Sequence, residues 1–294
     1  MSDPVCKPAI KKAIKKTIKK AGVIGWPIGH SRSPLIHRHW LTLHQLCGSY
    51  DPIAVSPEAA DDYFRNFRMT GLIGANVTIP HKQTVIAHLD RIDASAEAIG
   101  AVNTIWLEDG ILSGTNTDWQ GFVGNLDAAA EGWDKPSSSA LVLGAGGAAR
   151  GIVYALRMRG FEEIHVANRS LDRAVELQRH FGPSILPHRL DEADDLLSEV
   201  DLLVNTTSLG MAHNPPLDLD LRGLKSDCLV TDIVYAPLRT PLLEKAAAMG
   251  NRTVDGLGML LHQAAPGFER WFGIRPGVST DLRALVLADM GLAS

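Results

Sequence analysis

"ALVLGAGGAARGIVYALRMRG", residues 140–160, joins a short apolar run, a glycine-rich turn and an amphipathic segment without a break. The run over 141–143 reads as a buried strand. Gly144-x-Gly146-x-x-Ala149 follows at once, and a helix opens directly behind it. Gly144 permits a tight turn, and Gly146 lets the backbone approach a pyrophosphate. The helix start then offers unpaired N–H groups and a partial positive charge to phosphates. The glycine spacing alone is weak. Its place between a strand and a helix makes it specific, and it predicts a dinucleotide-binding unit in an open parallel sheet.

About 24 residues after the first glycine of such a turn, an acidic side chain usually accepts from the adenosine ribose. Here the stretch is "VANRSLDRA" (166–174), which carries Asn168, Arg169 and Ser170, with Arg173 one helical turn on. A carboxylate would repel a 2′-phosphate. The planar donor fork of arginine suits one, and Arg169 and Arg173, four residues apart, can face one spot. The pattern predicts NADP rather than NAD.

Outward from this unit, strand-like and helix-like segments alternate along most of the chain, which predicts an α/β fold with parallel strands covered on both faces. Before it, "AGVIG" (21–25) reads as a buried strand beginning near Gly22. A helix follows with Ser33 as N-cap and Pro34 at its first position. Strands are expected near 50–55 and within "GLIGANVTIP" (71–80), with helices near 57–67, after Pro80 and over 119–130. Asp109–Gly110 marks a hairpin turn between two apolar runs. "GWDKPSSS" (132–139) reads as a linker. Behind the unit come strands in "DLLVNTTSLG" and "CLVTDIVY", a long helix in "GLGMLLHQAAPGFERWFG" (256–273) and a last helix over 279–290.

With 294 residues, the chain has room for two domains of ordinary size. A net charge of −4 argues against nucleic acid as the main partner. No apolar run reaches membrane-spanning length. Cys6, Cys47 and Cys228 form neither a zinc spacing nor a disulfide framework, so a reducing, cytoplasmic setting is expected. Residues 9–20 carry six lysines beside isoleucines at every fourth position. This stretch reads as a solvated extension whose removal, through residue 20, should leave folding intact.

The second informative stretch is "GANVTIPHK" (74–82). On a strand, Asn76 and Thr78 share one face while Val77 and Ile79 share the other. Lys82 follows Pro80, and most lysines are only surface residues. "SGTNTDWQGF" (113–122) places Asp118 where a strand gives way to a helix, a position at which N-capping is a common role. Asn103 precedes the hairpin, and Ser31 and Ser33 follow the first strand. These polar groups gather at expected carboxyl ends of strands, the usual place for ligands in open α/β sheets.

"HSRSP", "GANVTIPHK", "GAVNT", "NTD", "GAGGAARG", "NRSLDRA", "NTTSLGM" and "DGLGMLLHQA" occur in this order between about residue 22 and the C-terminus. In this ordered set the chain resembles the shikimate dehydrogenase (shikimate/quinate dehydrogenase) family. The basic extension over 1–21 falls outside the resemblance. The resemblance implies an N-terminal α/β domain over 22–117, with a mostly parallel mixed sheet, that binds substrate and carries catalysis and is completed by C-terminal helices within 257–294. A Rossmann-type NADP domain spans 118–256, with a cleft between the two. The implied reaction is the reversible NADPH-dependent reduction of 3-dehydroshikimate to shikimate, a step of chorismate and aromatic amino-acid biosynthesis. By motif position, Lys82 and Asp118 match the catalytic pair, and Ser31 and Ser33 match carboxylate ligands. Asn76, Thr78, Asn103, Asp118, Tyr235 and Gln263 match residues that line the substrate pocket. Gly144, Ala145, Gly146, Gly147, Ala148, Asn168, Arg169, Ser170, Arg173, Ile233 and Gly256 match cofactor contacts. Ser170 stands where threonine is frequent, and Ile233 where methionine is.

The chemistry is coherent on residue grounds too. A ketone carbon that receives hydride leaves an oxygen in need of a proton. A lysine ammonium can polarise that carbonyl and donate the proton. Asp118 can accept from a neighbouring substrate hydroxyl. Residue chemistry alone leaves Lys82 open as proton carrier or as electrostatic stabiliser. No clustered metal-ligand set is present, and none is required. The expected partner is a small-molecule substrate, with neither nucleic acid nor membrane, and a homodimer is allowed. Two alternatives stay open: a dual-specificity shikimate/quinate dehydrogenase and a non-catalytic NADP-binding sensor on the same fold.

Overall fold

A computed structural model describes residues 18–135 and 137–292. The basic extension therefore lies outside the described residues up to position 17, and so does Cys6. Two compact units are present. One holds the described chain up to Thr117 and from Gln263 onward; the other is Asp118–His262.

In the first unit the strands are β1 (Lys19–Gly25), β2 (Gly48–Ala54), β3 (Gly74–Val77), β4 (Arg91–Ile92), β5 (Thr104–Glu108) and β6 (Ile111–Thr115). They form one sheet in the order β2-β1-β3-β5-β6-β4. Only β5 runs against its neighbours, so the sheet is mixed but mostly parallel. The β5–β6 turn is the two-residue hairpin that Asp109–Gly110 predicts. Both residues have positive φ, 51° and 79°, and Glu108 pairs with Ile111 across it. One face of the sheet is filled by Ile24, Phe64, Phe67, Val77 and Ile105. A second, aromatic core gathers Trp40, Tyr50, Phe268 and Trp271 around His37. Trp271 reaches the sheet because position 74 is glycine. A Cβ there would lie 2.1 Å from the indole nitrogen, which instead donates to the Ile105 carbonyl at 3.0 Å.

The second unit contains β7 (Ser139–Leu143), β8 (Glu163–Asn168), β9 (Ile185–Arg189), β10 (Leu202–Asn205), β11 (Leu229–Asp232) and β12 (Thr253–Val254). All neighbours are parallel, in the order β12-β11-β10-β7-β8-β9. This is the doubly wound order, which reverses direction between β7 and β10 and there opens a crevice at the strands' carboxyl ends. Val142 and Ile164 face one buried cluster, while Leu141 and Leu143 face the other. Both faces being covered explains why β7 reads as an unbroken apolar run.

Several local expectations change. β1 begins at Lys19, not near Gly22, because Lys19 and Lys20 pair with Gly48 and Ser49 and the Lys19 ammonium donates to the Trp271 carbonyl at 3.1 Å. Ser33 is the first residue of helix Ser33–Leu43 rather than its N-cap; Arg32 takes that place. β3 stops at Val77, and Ile79 is 73% exposed instead of sharing a buried face with Val77. After Pro80 come the short 3-10 helix Thr84–His88 and then the α-helix Ala94–Ile99, which leads directly to Gly100. The short strands β4, β9 and β12 escape the periodicity reading, since two to five residues leave little pattern to read. Cys47 takes part in a disulfide, against the expectation of unpaired cysteines, whereas Cys228 is a buried free thiol. Among the described residues, no helix is long and apolar enough to cross a membrane.

The start of β1 gives a direct test. A chain beginning at Ala21 loses two ladder positions and the Lys19–Trp271 hydrogen bond relative to one beginning at Ile18. It should melt about 2–5 °C lower. Equal melting temperatures for the two truncations would show that Lys19 and Lys20 add nothing to the sheet.

Candidate active site

In the first unit, polar side chains that would be costly to bury alone are buried together. Asn76, on β3, donates from Nδ2 to the Asn103 carbonyl at 3.2 Å and to Thr104 Oγ1 at 3.0 Å. Its Oδ1 accepts from the Tyr50 hydroxyl at 2.6 Å. Asn103 Oδ1 accepts from the Thr117 amide at 2.7 Å and from Thr104 Oγ1 at 3.1 Å. Asn103 Nδ2 donates to Thr117 Oγ1 at 3.0 Å and reaches Gln263 Oε1 at 3.5 Å. The Thr117 hydroxyl donates in turn to the Gln263 backbone carbonyl at 2.8 Å. Three expected substrate residues, Asn76, Asn103 and Gln263, therefore form one continuous network.

Lys82 sits just beyond this network, half-buried, on a pinned segment. The Val102 amide donates to the Lys82 carbonyl at 2.8 Å. The preceding His81 is buried, with Nε2 2.7 Å from the Val55 carbonyl. A carbonyl only accepts, so Nε2 carries the proton. Sequence reading missed His81; its signal is only that it adjoins Lys82. Ser33 is buried and Ser31 half-buried, and the Ser31 hydroxyl oxygen lies 3.4 Å from the Ser33 amide. The Thr78 methyl presses on Gly25, where a Cβ would come within 2.4 Å.

The dinucleotide turn of the second unit follows its glycines. Gly144 has φ of +102°, and a Cβ would lie 2.8 Å from Thr206 Oγ1, so both backbone and space demand glycine. At Gly146 and Gly147 a Cβ would meet no protein atom within 4 Å, which leaves the backbone approachable. Helix Gly147–Met158 begins there with Gly146 as N-cap and no side-chain cap, so its first N–H groups suit a pyrophosphate. Asn168 is engaged by the turn itself: Oδ1 accepts from the Ala145 amide at 3.2 Å, and Nδ2 donates to the Ser170 carbonyl at 2.8 Å. Arg169 and Arg173 are exposed, beside the start of helix Leu171–Phe181. Ser170 is that helix's N-cap residue, yet its hydroxyl makes no capping bond. These groups fit a 2′-phosphorylated dinucleotide.

Asp118 opens helix Asp118–Ala129 and is half-buried. Ile233, Tyr235 and Gly256 lie past the ends of β11 and β12. A Cβ on Gly256 would come within 2.4 Å of the Ile233 carbonyl, so this glycine lets the two segments touch. Buried Asp232, absent from the sequence reading, anchors the segment. Its carboxyl accepts from the Val234 amide at 3.0 Å, Asn205 Nδ2 at 3.0 Å and Thr240 Oγ1 at 2.7 Å. Burial pushes its pKa up, and these hydrogen bonds oppose that rise. Among the described residues, no group of three or more His, Cys, Asp or Glu side chains could hold a metal ion.

Known proteins agree with this layout. Residues 23–105 match the shikimate dehydrogenase substrate binding domain. Residues 128–214 match shikimate / quinate 5-dehydrogenase, and 256–286 match the shikimate 5′-dehydrogenase C-terminal domain. The chain is 52% identical over 268 residues to shikimate dehydrogenase (NADP(+)) of Azorhizobium caulinodans, covering 91% of this chain and 95% of that protein. A crystal structure of shikimate 5-dehydrogenase from Thermus thermophilus, in complex with NADP(H) and shikimate, is 35% identical. It superposes with a TM-score of 0.83, covering 92% of this chain and 100% of the other. Quinate dehydrogenase from Corynebacterium glutamicum in complex with NAD is 29% identical with a TM-score of 0.84, covering 92% and 99%. With family domains matched along its length and half of its residues shared with such a relative, the chain belongs to the shikimate dehydrogenase family.

Proposed function

We propose that this chain catalyses the reversible NADPH-dependent reduction of 3-dehydroshikimate to shikimate. The observation that carries this reading is the buried amide–hydroxyl network of Asn76, Asn103, Thr104, Thr117 and Gln263. It stands in a chain that also bears an NADP-type turn. Such a network suits a ring that carries several hydroxyls. In this reading Ser31 and Ser33 hold the substrate carboxylate, and Asn76, Thr78, Asn103, Tyr235 and Gln263 line the pocket.

Bound NADPH supplies the hydride. Lys82, as an ammonium, polarises the ketone and donates a proton to the oxygen that develops negative charge as hydride arrives. Asp118 accepts from an adjacent hydroxyl and orients the ring. The backbone amides at Gly146, Gly147 and Ala148 receive the pyrophosphate, and Arg169 and Arg173 receive the 2′-phosphate. Ile233 and Gly256 shape the nicotinamide end. The deciding assay follows nicotinamide reduction with shikimate, and in parallel with quinate, which the similarity to a quinate dehydrogenase makes the second substrate to try. Turnover of neither would overturn the reading.

Two variants probe the assigned roles. Lys82→Ala should lower kcat about 10²–10⁴-fold while the KM for shikimate changes little, since the lysine acts mainly on the transition state. A near-normal kcat would remove Lys82 from the chemistry. Arg169→Ala should raise the KM for NADP about tenfold and leave that for NAD nearly unchanged, because only NADP carries the extra phosphate. Exposure of both arginines limits the loss, and the Arg169→Ala, Arg173→Ala double variant should lose more. The measurement is the ratio of kcat/KM for NADP to that for NAD; a constant ratio would make both arginines ordinary surface charges.

A further inference from the structure

Tyr50 lies on β2, away from every motif that marks the site, yet its hydroxyl touches the centre of the substrate network. The amide of Asn76 has two N–H donors and an oxygen with two lone pairs. The Asn103 carbonyl can only accept, so Nδ2 must face it, and the second N–H goes to Thr104 Oγ1. Oδ1 therefore faces Tyr50, and one of its lone pairs is taken by the phenol at 2.6 Å. One lone pair remains.

We propose that Tyr50 is a positioning residue for the substrate site, holding Asn76 so that it offers a bound polyol one acceptor and no donor. This rests on the catalytic reading above and adds a selection to it: the substrate group that meets Asn76 must be a hydroxyl that donates.

Tyr50 is well placed for the role. It is fully buried, and burial raises its pKa well above the usual phenol value, so the O–H persists as a donor. The Ser33 hydroxyl lies against the same phenol oxygen, which links the expected carboxylate ligand to the expected ring ligand. The ring stacks on His37 with centroids 3.9 Å apart, and Trp271 tilts against it at 5.8 Å. His37 is enclosed and neither of its nitrogens reaches hydrogen-bond geometry; burial lowers its pKa to about 3, and a weaker contact with the Asn76 side chain opposes that fall. It is thus a neutral packing surface rather than a charge. The backbone is held as well: Arg38 Nε donates to the Tyr50 carbonyl at 3.0 Å while its guanidinium pairs with Asp51 at 2.7 Å.

The test is a double-mutant cycle on the full-length enzyme, using shikimate and NADP. Tyr50→Phe removes only the hydroxyl and keeps the stack. It should raise the KM for shikimate about two- to tenfold, with kcat and the KM for NADP close to wild type. In an Asn76→Ala background the same change should add no further cost in KM. Asn76→Ser takes that place if Asn76→Ala does not fold. A merely structural Tyr50 would lower the melting temperature and leave the shikimate KM unmoved, or would cost the same in both backgrounds. Either result, with an active wild type, overturns the positioning role alone. A wild-type enzyme that does not turn over shikimate overturns the catalytic reading and this proposal together.

Discussion

Asn103 is almost wholly buried, and its one amide joins three separate parts of the chain. It meets Thr104 at the start of β5, Thr117 beyond β6, and Gln263 in helix Leu257–Phe272. A buried amide left unpaired costs about 1–3 kcal/mol, so the network forms whole or not at all. Asn76, Asn103, Thr104 and Thr117 are short, buried side chains with few rotamers, which makes this part of the network rigid. Rigidity of this kind suits discrimination among hydroxylated rings, because a site built to pair with hydroxyls rejects analogues that leave its groups unpaired. The same requirement fixes Lys82 at one remove: the Val102 amide that holds its carbonyl belongs to the residue just before Asn103.

The second unit meets a different constraint. Its helix Gly147–Met158 starts without a side-chain cap, its arginines lie exposed at the end of β8, and Asn168 ties the glycine turn to that strand. Donors and positive charge collect along one line from the turn to the next helix. A protein that kept these groups only for its own folding would gain more from a serine or aspartate cap. Their arrangement favours an extended anion, and the absence of a carboxylate at position 168 admits one with an extra phosphate.

Much of this was legible in the sequence, for identifiable reasons. β7 and its turn announce themselves because strand, Gly144 and helix follow without a gap, and Asp109–Gly110 is nearly unambiguous since both residues must adopt positive φ. The position of Arg169 and Arg173, exposed beside the start of helix Leu171–Phe181, could be read because they follow β8 at a fixed distance from Gly144. Other features depend on pairing between distant segments. Nothing local marks Tyr50 as the partner of Asn76, or Asp232 as the anchor of the segment carrying Ile233 and Tyr235. Ser33 looked like a helix cap because serine before proline usually is one, but the helix includes it and Arg32 precedes it. The β1 boundary was misplaced because lysines signal solvent, whereas edge pairing with β2 lets Lys19 and Lys20 extend the strand while their ammonium groups stay near water.

The first unit closes on itself only through residues from the far end of the chain. Trp271 fills the space over Gly74, Phe268 completes the aromatic core, and the Gly277 carbonyl receives the Trp40 indole. During synthesis, then, the second unit can be complete while the first still lacks part of its core. Until the residues from Gln263 onward have been made, the nascent chain carries an open sheet face beside Gly74 and Ile105, a surface suited to chaperone capture.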